Sequence, residues 1–177
     1  MNEYLKDAVT QIKKTKTLTG AALMTAATVI LDFFRIVITQ TMEISFSFLG
    51  VALAGMFYGP VVGGIVGGIA DILEYIVRPS GAFFIGFTIS KIFTGVIFGL
   101  FLYKQNPTLK RVALALLVEN VMITLILTPI WLNIMYGTAL FAVVRVVRCV
   151  LLYPIKLAVL YMICKAVASI RLRGPSV

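Results

Sequence analysis

Nine charged side chains stand inside apolar runs of this sequence: Asp32, Arg35, Asp71, Glu74, Lys91, Glu119, Arg145, Arg148 and Lys156. A charge at the centre of a bilayer costs about 2.5–3.5 kcal/mol on insertion scales, so each needs a partner, a cavity or a route to the surface. Asp32 and Arg35, at i and i+3, can pair along one helix, and Asp71 can pair with Arg78, close to Glu74, across a turn. Arg145 and Arg148 are different. Two cations one turn apart repel, and a guanidinium grips a carboxylate through a planar bidentate fork, so an anionic ligand complements them. Phe83 and Phe84 follow a Pro79-Ser80-Gly81 turn and either stack on a flat ring or belong to an interfacial aromatic belt, which accounts well for Trp131. Asn120, beside Glu119, either reads the donor and acceptor edges of a heterocycle or ties two helices together. Arg35, Phe83, Phe84, Lys91, Asn120, Arg145 and Arg148 are therefore the candidate ligand contacts.

These residues need a scaffold in lipid. Of the 177 residues, 60% are apolar and 13% charged, and the mean hydropathy is +1.03, more apolar surface than a soluble domain of this size can hide. Apolar runs near 20 residues recur and period-2 alternation is absent, which favours helices over a barrel. The expected class is all-α: one polytopic membrane domain, a bundle of six transmembrane helices over about 17–39, 46–57, 61–77, 83–103, 112–131 and 139–167. Helices 2 and 3, separated by Gly59-Pro60, are slightly short for two crossings and much too long for one. Residues 40–47 read as a loop, and Pro154 interrupts the last helix.

The stretch before Thr17 is polar and resembles the charged start of a signal peptide, but the apolar run after it is too long for one and contains Asp32 and Arg35, so that run is read as a retained first helix. Lys6, Lys13, Lys14 and Lys16, then Lys104, Lys110 and Arg111, then Arg171 and Arg173 fall on one side, against Glu43 and Arg78 on the other. The positive-inside rule places both termini in the cytoplasm. On that topology eight of the nine charges lie in the outer half or near the middle, with Lys156 alone towards the cytoplasm. The expected site is a ligand cup that opens outward, which suits capture better than conduction.

The net charge of +9 is carried mostly by loops, so no nucleic-acid partner is implied. Cys149 and Cys164, 15 residues apart on one helix, are separated by roughly 22 Å and cannot bridge each other. With no histidine and no paired cysteines, no metal or haem site is expected. No cofactor and no catalytic residue are expected either. On helix 1, Ala22 and Ala26 lie one turn apart on a smooth stripe that another helix can approach closely, and packing inside the bundle is the simplest use of it.

The segments Ala22-Leu-Met-Thr-Ala26, Gly59-Pro60-Val61-Val62-Gly63 with Asp71, Pro79 to Thr88, and Arg145-Val-Val-Arg-Cys-Val-Leu-Leu-Tyr-Pro154 together resemble the substrate-binding S components of energy-coupling factor vitamin transporters, the folate-specific branch most of all. The resemblance runs from about Leu18 to Val167. It implies a six-helix protein that captures a vitamin outside, then joins a transmembrane coupling subunit and two ATPase subunits, whose ATP hydrolysis drives release inside. It implies that Ala22 and Ala26 contact the coupling subunit, and that the segments about 40–47 and 78–84 cover the site. The family often has lysine where Arg148 stands. The implied setting is a bacterial plasma membrane.

Folate suits the cup on chemical grounds, with a flat pterin to stack and two tail carboxylates for arginine. Riboflavin or pantothenate would fit the same architecture, although neutral riboflavin leaves the arginines without a ligand partner. No P-loop is present, so ATP must be hydrolysed elsewhere. A lipid-phosphate enzyme using Asp71 and Glu74 with a metal would be expected to place its acids near the cytoplasmic face, and a scaffold would not need these intramembrane charges.

Overall fold

The computed structural model of the chain describes residues 14–39, 42–79, 82–137 and 143–173, with side chains left undescribed at 36–39, 42–44, 143–148 and 170–173. It is a helical bundle: α1 (Thr15–Asp32), α2 (Phe48–Tyr58), α3 (Pro60–Val77), α4 (Ile85–Leu102), α5 (Leu109–Tyr136) and α6 (Val143–Arg173). The one departure from helix among the described residues is a small antiparallel hairpin, β1 (Ile36–Thr39) with β2 (Met42–Ile44).

That hairpin corrects the expected loop and the expected end of helix 1. Ile36-Val37-Ile38-Thr39 is a run of four β-branched residues, whose restricted χ1 favours extended backbone. The helix closes at Asp32 instead, with the Phe33 and Arg35 amides bonded back to the Ile30 and Asp32 carbonyls. Pro154 does not interrupt α6, which runs helical through it.

In α5 the regular pattern gives way to a π-helical stretch, Asn120–Leu127. Pro129 follows at once; it has no N–H to donate and its ring crowds the carbonyl four residues back, so a wider turn ahead of it relieves the conflict. The Thr128 hydroxyl donates to the Ile123 carbonyl at 2.8 Å and occupies an acceptor that the widened turn exposes.

The α2–α3 corner is built by Gly59, whose φ of 93° is open to glycine at little cost, and by Pro60, which starts α3 where no amide donor is needed. From there α3 and α4 come unusually close. A Cβ on Gly63 would lie 2.7 Å from the Gly95 carbonyl oxygen; α2 reaches α4 as closely, a Cβ on its Gly55 lying 2.7 Å from the Gly99 nitrogen. The main core lies between α2, α4, α5 and α6, around Met56, Phe98, Leu102, Val112, Leu116 and Leu160.

Four helical segments, α3, α4, α5 and Cys149–Ser169 of α6, are long and apolar enough to cross a membrane. α2 is not: its 11 residues reach about 16 Å, against about 30 Å of hydrocarbon. α1 turns its threonines inward, with Thr25 and Thr28 bonded to the Ala21 and Met24 carbonyls, and leaves Leu18, Leu23 and Ile30 outside. Bonding to the helix's own carbonyls lets a hydroxyl sit in an apolar interface.

The α3–α4 approach leaves no room for a side chain. Gly63→Ala is expected to lower stability by about 1–3 kcal/mol, seen as a lower melting temperature in detergent; unchanged melting would show that the two helices can part without loss.

Candidate functional site

Two facing ladders on α3 and α4 build the polar centre. Asp71 and Glu74 stand at i and i+3 on one helix, Thr88 and Lys91 at i and i+3 on the other. That spacing puts each pair on one face. The Lys91 ammonium forms an ion pair with Glu74 and lies 3.7 Å from Asp71 Oδ1. The Thr88 hydroxyl donates to Asp71 Oδ2 at 2.7 Å. Because α2 is short, the chain entering it dips into the bundle and adds two serines. Lys91 Nζ donates to Ser47 Oγ at 3.4 Å, Ser47 Oγ is 2.9 Å from Ser45 Oγ, and Ser45 donates to Asp32 Oδ1 at 2.9 Å.

Asp32 in turn pairs with Arg35 at 3.3 Å. Arg35 Nη2 donates to the Arg78 carbonyl and Arg78 Nη1 to the Phe33 carbonyl, both at 3.2 Å. This reciprocal clasp ties the end of α1 to the end of α3, beside a shallow surface groove lined by Asp32, Glu74 and Arg78. Three carboxylates thus face three cations, so the described cluster is close to neutral. Glu74 Oε1 is buried without a hydrogen-bond partner among the described residues.

Phe83 and Phe84 point to different helices. Phe83 packs on Tyr75 of α3 with ring centres 5.1 Å apart, and Phe84 on Trp131 of α5 at 5.7 Å. Trp131 Nε1 donates to Ser90 at 3.0 Å, which fixes the indole against α4. Asn120 is buried and bonded to its own bundle: its amide nitrogen donates to the Leu116 carbonyl at 3.0 Å, and its oxygen accepts from Cys149 Sγ at 3.3 Å. Glu119 beside it is buried, with Oε2 unpartnered among the described residues. Arg145 and Arg148 belong to the first turns of α6, but their side chains lie outside the described residues. Ala22 and Ala26 are exposed on the outer face of α1, not packed within the bundle.

The structure therefore brings Arg35 and Lys91 into one network, sets Phe83 and Phe84 on separate aromatic pairs, and holds Asn120 apart at the α5–α6 contact. Sequence reasoning missed Ser45, Ser47 and Thr88. Thr88 was within reach, since it repeats on α4 the spacing of Asp71 and Glu74; the serines had no such signal, because only the fold brings them to Lys91. Lys156, set towards the cytoplasm by the sequence-derived topology, has its Nζ 5.2 Å from the Phe48 ring centre.

The profile of the ECF transporter substrate-specific component matches residues 16–169 of the chain. A folate transporter FolT of Clostridium novyi (strain NT) is 36% identical over 152 residues, covering 85% of this chain and 88% of that one. A FolT of Leuconostoc mesenteroides is 30% identical over 135 residues, covering 70% and 71%. Among solved structures, a crystal structure of FolT bound with folic acid superposes with a TM-score of 0.80 at 34% identity, covering 87% of this chain and 97% of that one.

Breaking a buried ion pair strands a charge, whereas removing both partners does not. Glu74→Ala is expected to destabilise the protein by about 3 kcal/mol, and adding Lys91→Met should recover a large part of the loss. Additive losses in the melting temperatures of the single and double variants would show that the two do not act as a pair.

Proposed function

From a chain that belongs to the substrate-specific components of ECF transporters, we propose that this protein captures folate outside a bacterial cell and passes it inward with partner subunits. The observation that carries this reading is the likeness, over most of the bundle, to a FolT that holds folic acid. The chemistry agrees with it. Asp32, Asp71 and Glu74 already balance Arg35, Arg78 and Lys91, so the positive charge left for an anionic ligand falls to Arg145 and Arg148.

In this reading those two arginines take the carboxylates of the glutamate tail. Phe83 and Phe84 flank the aromatic part near the mouth, and Arg35 and Lys91 form the polar wall between them. Asn120, with one amide N–H uncommitted among the described contacts, offers a further donor. The six helices stand with both termini in the cytoplasm and the cup facing out. The exposed Ala22 and Ala26 stripe receives a transmembrane coupling subunit, since small residues let a second helix approach closely. Two ATPase subunits supply the energy, and this subunit binds without catalysing.

Calorimetric titration of the purified subunit with folate tests the capture role. One-to-one binding is expected, weakened at least tenfold by Arg145→Ala, with no comparable binding of riboflavin or pantothenate. Binding of either in place of folate would keep the architecture and overturn the specificity. For the stripe, Ala22→Trp with Ala26→Trp should leave folate affinity within twofold while ATP-dependent uptake by vesicles carrying the whole complex falls at least tenfold. Unimpaired uptake would remove the stripe from the docking surface.

A further inference from the structure

The two ends of the bundle differ in charge. Gly20 near the start of α1 packs against Tyr58 at the end of α2, Gly99 of α4 packs against Pro60 at the start of α3, and Leu102, Val112 and Cys164 share one core. These contacts bring the start of α1, the end of α4, the start of α5 and the later turns of α6 together. That end carries Lys14, Lys16, Lys104, Lys110, Arg111 and Lys165, all exposed. The acids whose side chains are described lie elsewhere: Asp32, Asp71 and Glu74 in the polar centre, and Glu119 inside α5, about 15 Å from Leu109. The stretch before residue 14 adds Lys6 and Lys13 against Glu3 and Asp7, which cancel, and the end of α6 adds Arg171 and Arg173.

Like charges gathered on one surface repel unless an anion comes to them. Lys110 and Arg111 stand in the first turn of α5, where the helix dipole opposes a cation and no acid offsets it. Two other cations lie over tyrosines: Lys104 Nζ is 5.4 Å from the Tyr103 ring centre and Lys165 Nζ 5.7 Å from that of Tyr161. Tyrosine beside lysine marks the depth at which hydrocarbon gives way to headgroups. Leu18, Leu100, Leu109 and Met162 are exposed within about a turn of the same cations. A polyanion in water, whether nucleic acid or acidic protein, would meet the cations and not this apolar flank. A phospholipid meets both, with its chains on the leucines and its phosphate on the basic heads.

We infer that this basic end is a docking surface for anionic phospholipid headgroups, with Lys104, Lys110, Arg111 and Lys165 as its main contacts. The inference rests on the charge of the bundle's ends and not on folate. In the orientation proposed above, the surface meets the cytoplasmic leaflet, whose anionic lipids attract basic segments next to a membrane span. Attraction between exposed charges is screened by salt, which supplies a lever for the test.

The test is the lipid selectivity of the full chain in phosphatidylcholine vesicles, read as the fraction of motionally restricted lipid for spin-labelled phosphatidylglycerol against spin-labelled phosphatidylcholine. Wild type at low salt should prefer phosphatidylglycerol at least threefold, and the preference should fall towards parity in about 1 M salt, where the screening length is about 3 Å. Combining Lys104→Gln, Lys110→Gln, Arg111→Gln and Lys165→Gln should lower it at least twofold with helical content unchanged. Inorganic phosphate should reduce it no more than chloride of equal ionic strength; a larger loss would mark a site for the free ion and overturn the lipid docking. Equal association of the two lipids with wild type, or a preference that survives in the fourfold variant, overturns it as well. Should that variant not fold, Lys110→Gln with Arg111→Gln decides: a lowered preference is expected, and an unchanged one sinks the surface. No arm needs folate, so a failed folate titration and a failed lipid preference are separate results.

Discussion

Lys91 meets Glu74 and Asp71 across the closest helix contact of the bundle, and much of the architecture follows from the need to keep that meeting intact. A lone ammonium or carboxylate in an apolar interior is expensive, so the charges of α3 and α4 must face each other at short range. Glycine makes this possible. With Gly63 of α3 against Gly95 of α4 and Gly67 against the Lys91 carbonyl, the two backbones approach until short polar side chains such as Thr88 and Asp71 touch directly. Bulkier residues along that seam would push the helices apart and leave the charges facing lipid.

The short α2 is the second device. A helix of 11 residues cannot span the bilayer, so its start lies inside the bundle and carries Ser45, Ser47 and Phe48 to depths that a loop between full-length helices would not reach. One serine pair then connects Lys91 to Asp32, and through Asp32 to the clasp in which Arg35 and Arg78 hold each other's segments by backbone carbonyls. A protein that captures a vitamin from water needs a polar interior. The substrate-specific components of ECF transporters have to build it from apolar helices.

Much of this was legible in the residues themselves. Asp71, Glu74 and Lys91 announce charges that must find partners in lipid, although the sequence offered Arg78 to Asp71 whereas the fold brings Lys91 to it, and Gly59-Pro60 marks a corner by the backbone angles those two residues favour. The boundaries that slipped did so for local reasons. Ile36 to Thr39 counts as apolar and so extends a hydropathy run, but its β-branching turns it into a strand. Pro129 sits inside an apolar run that hydropathy reads straight through, so the π-helical stretch before it left no trace. Pro154 reads as a break yet is carried within α6.

The sequence by itself determined the class, a helical membrane protein with charges that must be satisfied internally, because composition and run length leave no soluble alternative. It also determined which residue types could grip an anion or a flat ring. Only the tertiary structure decided who meets whom. Asn120 spends its amide on Leu116 and Cys149, Ala22 and Ala26 face outward where packing inside the bundle was the simpler expectation, and Lys156 lies over the Phe48 ring. The reason is physical: periodicity gives the face of one helix, whereas contact depends on how far each helix reaches and how closely it approaches the next.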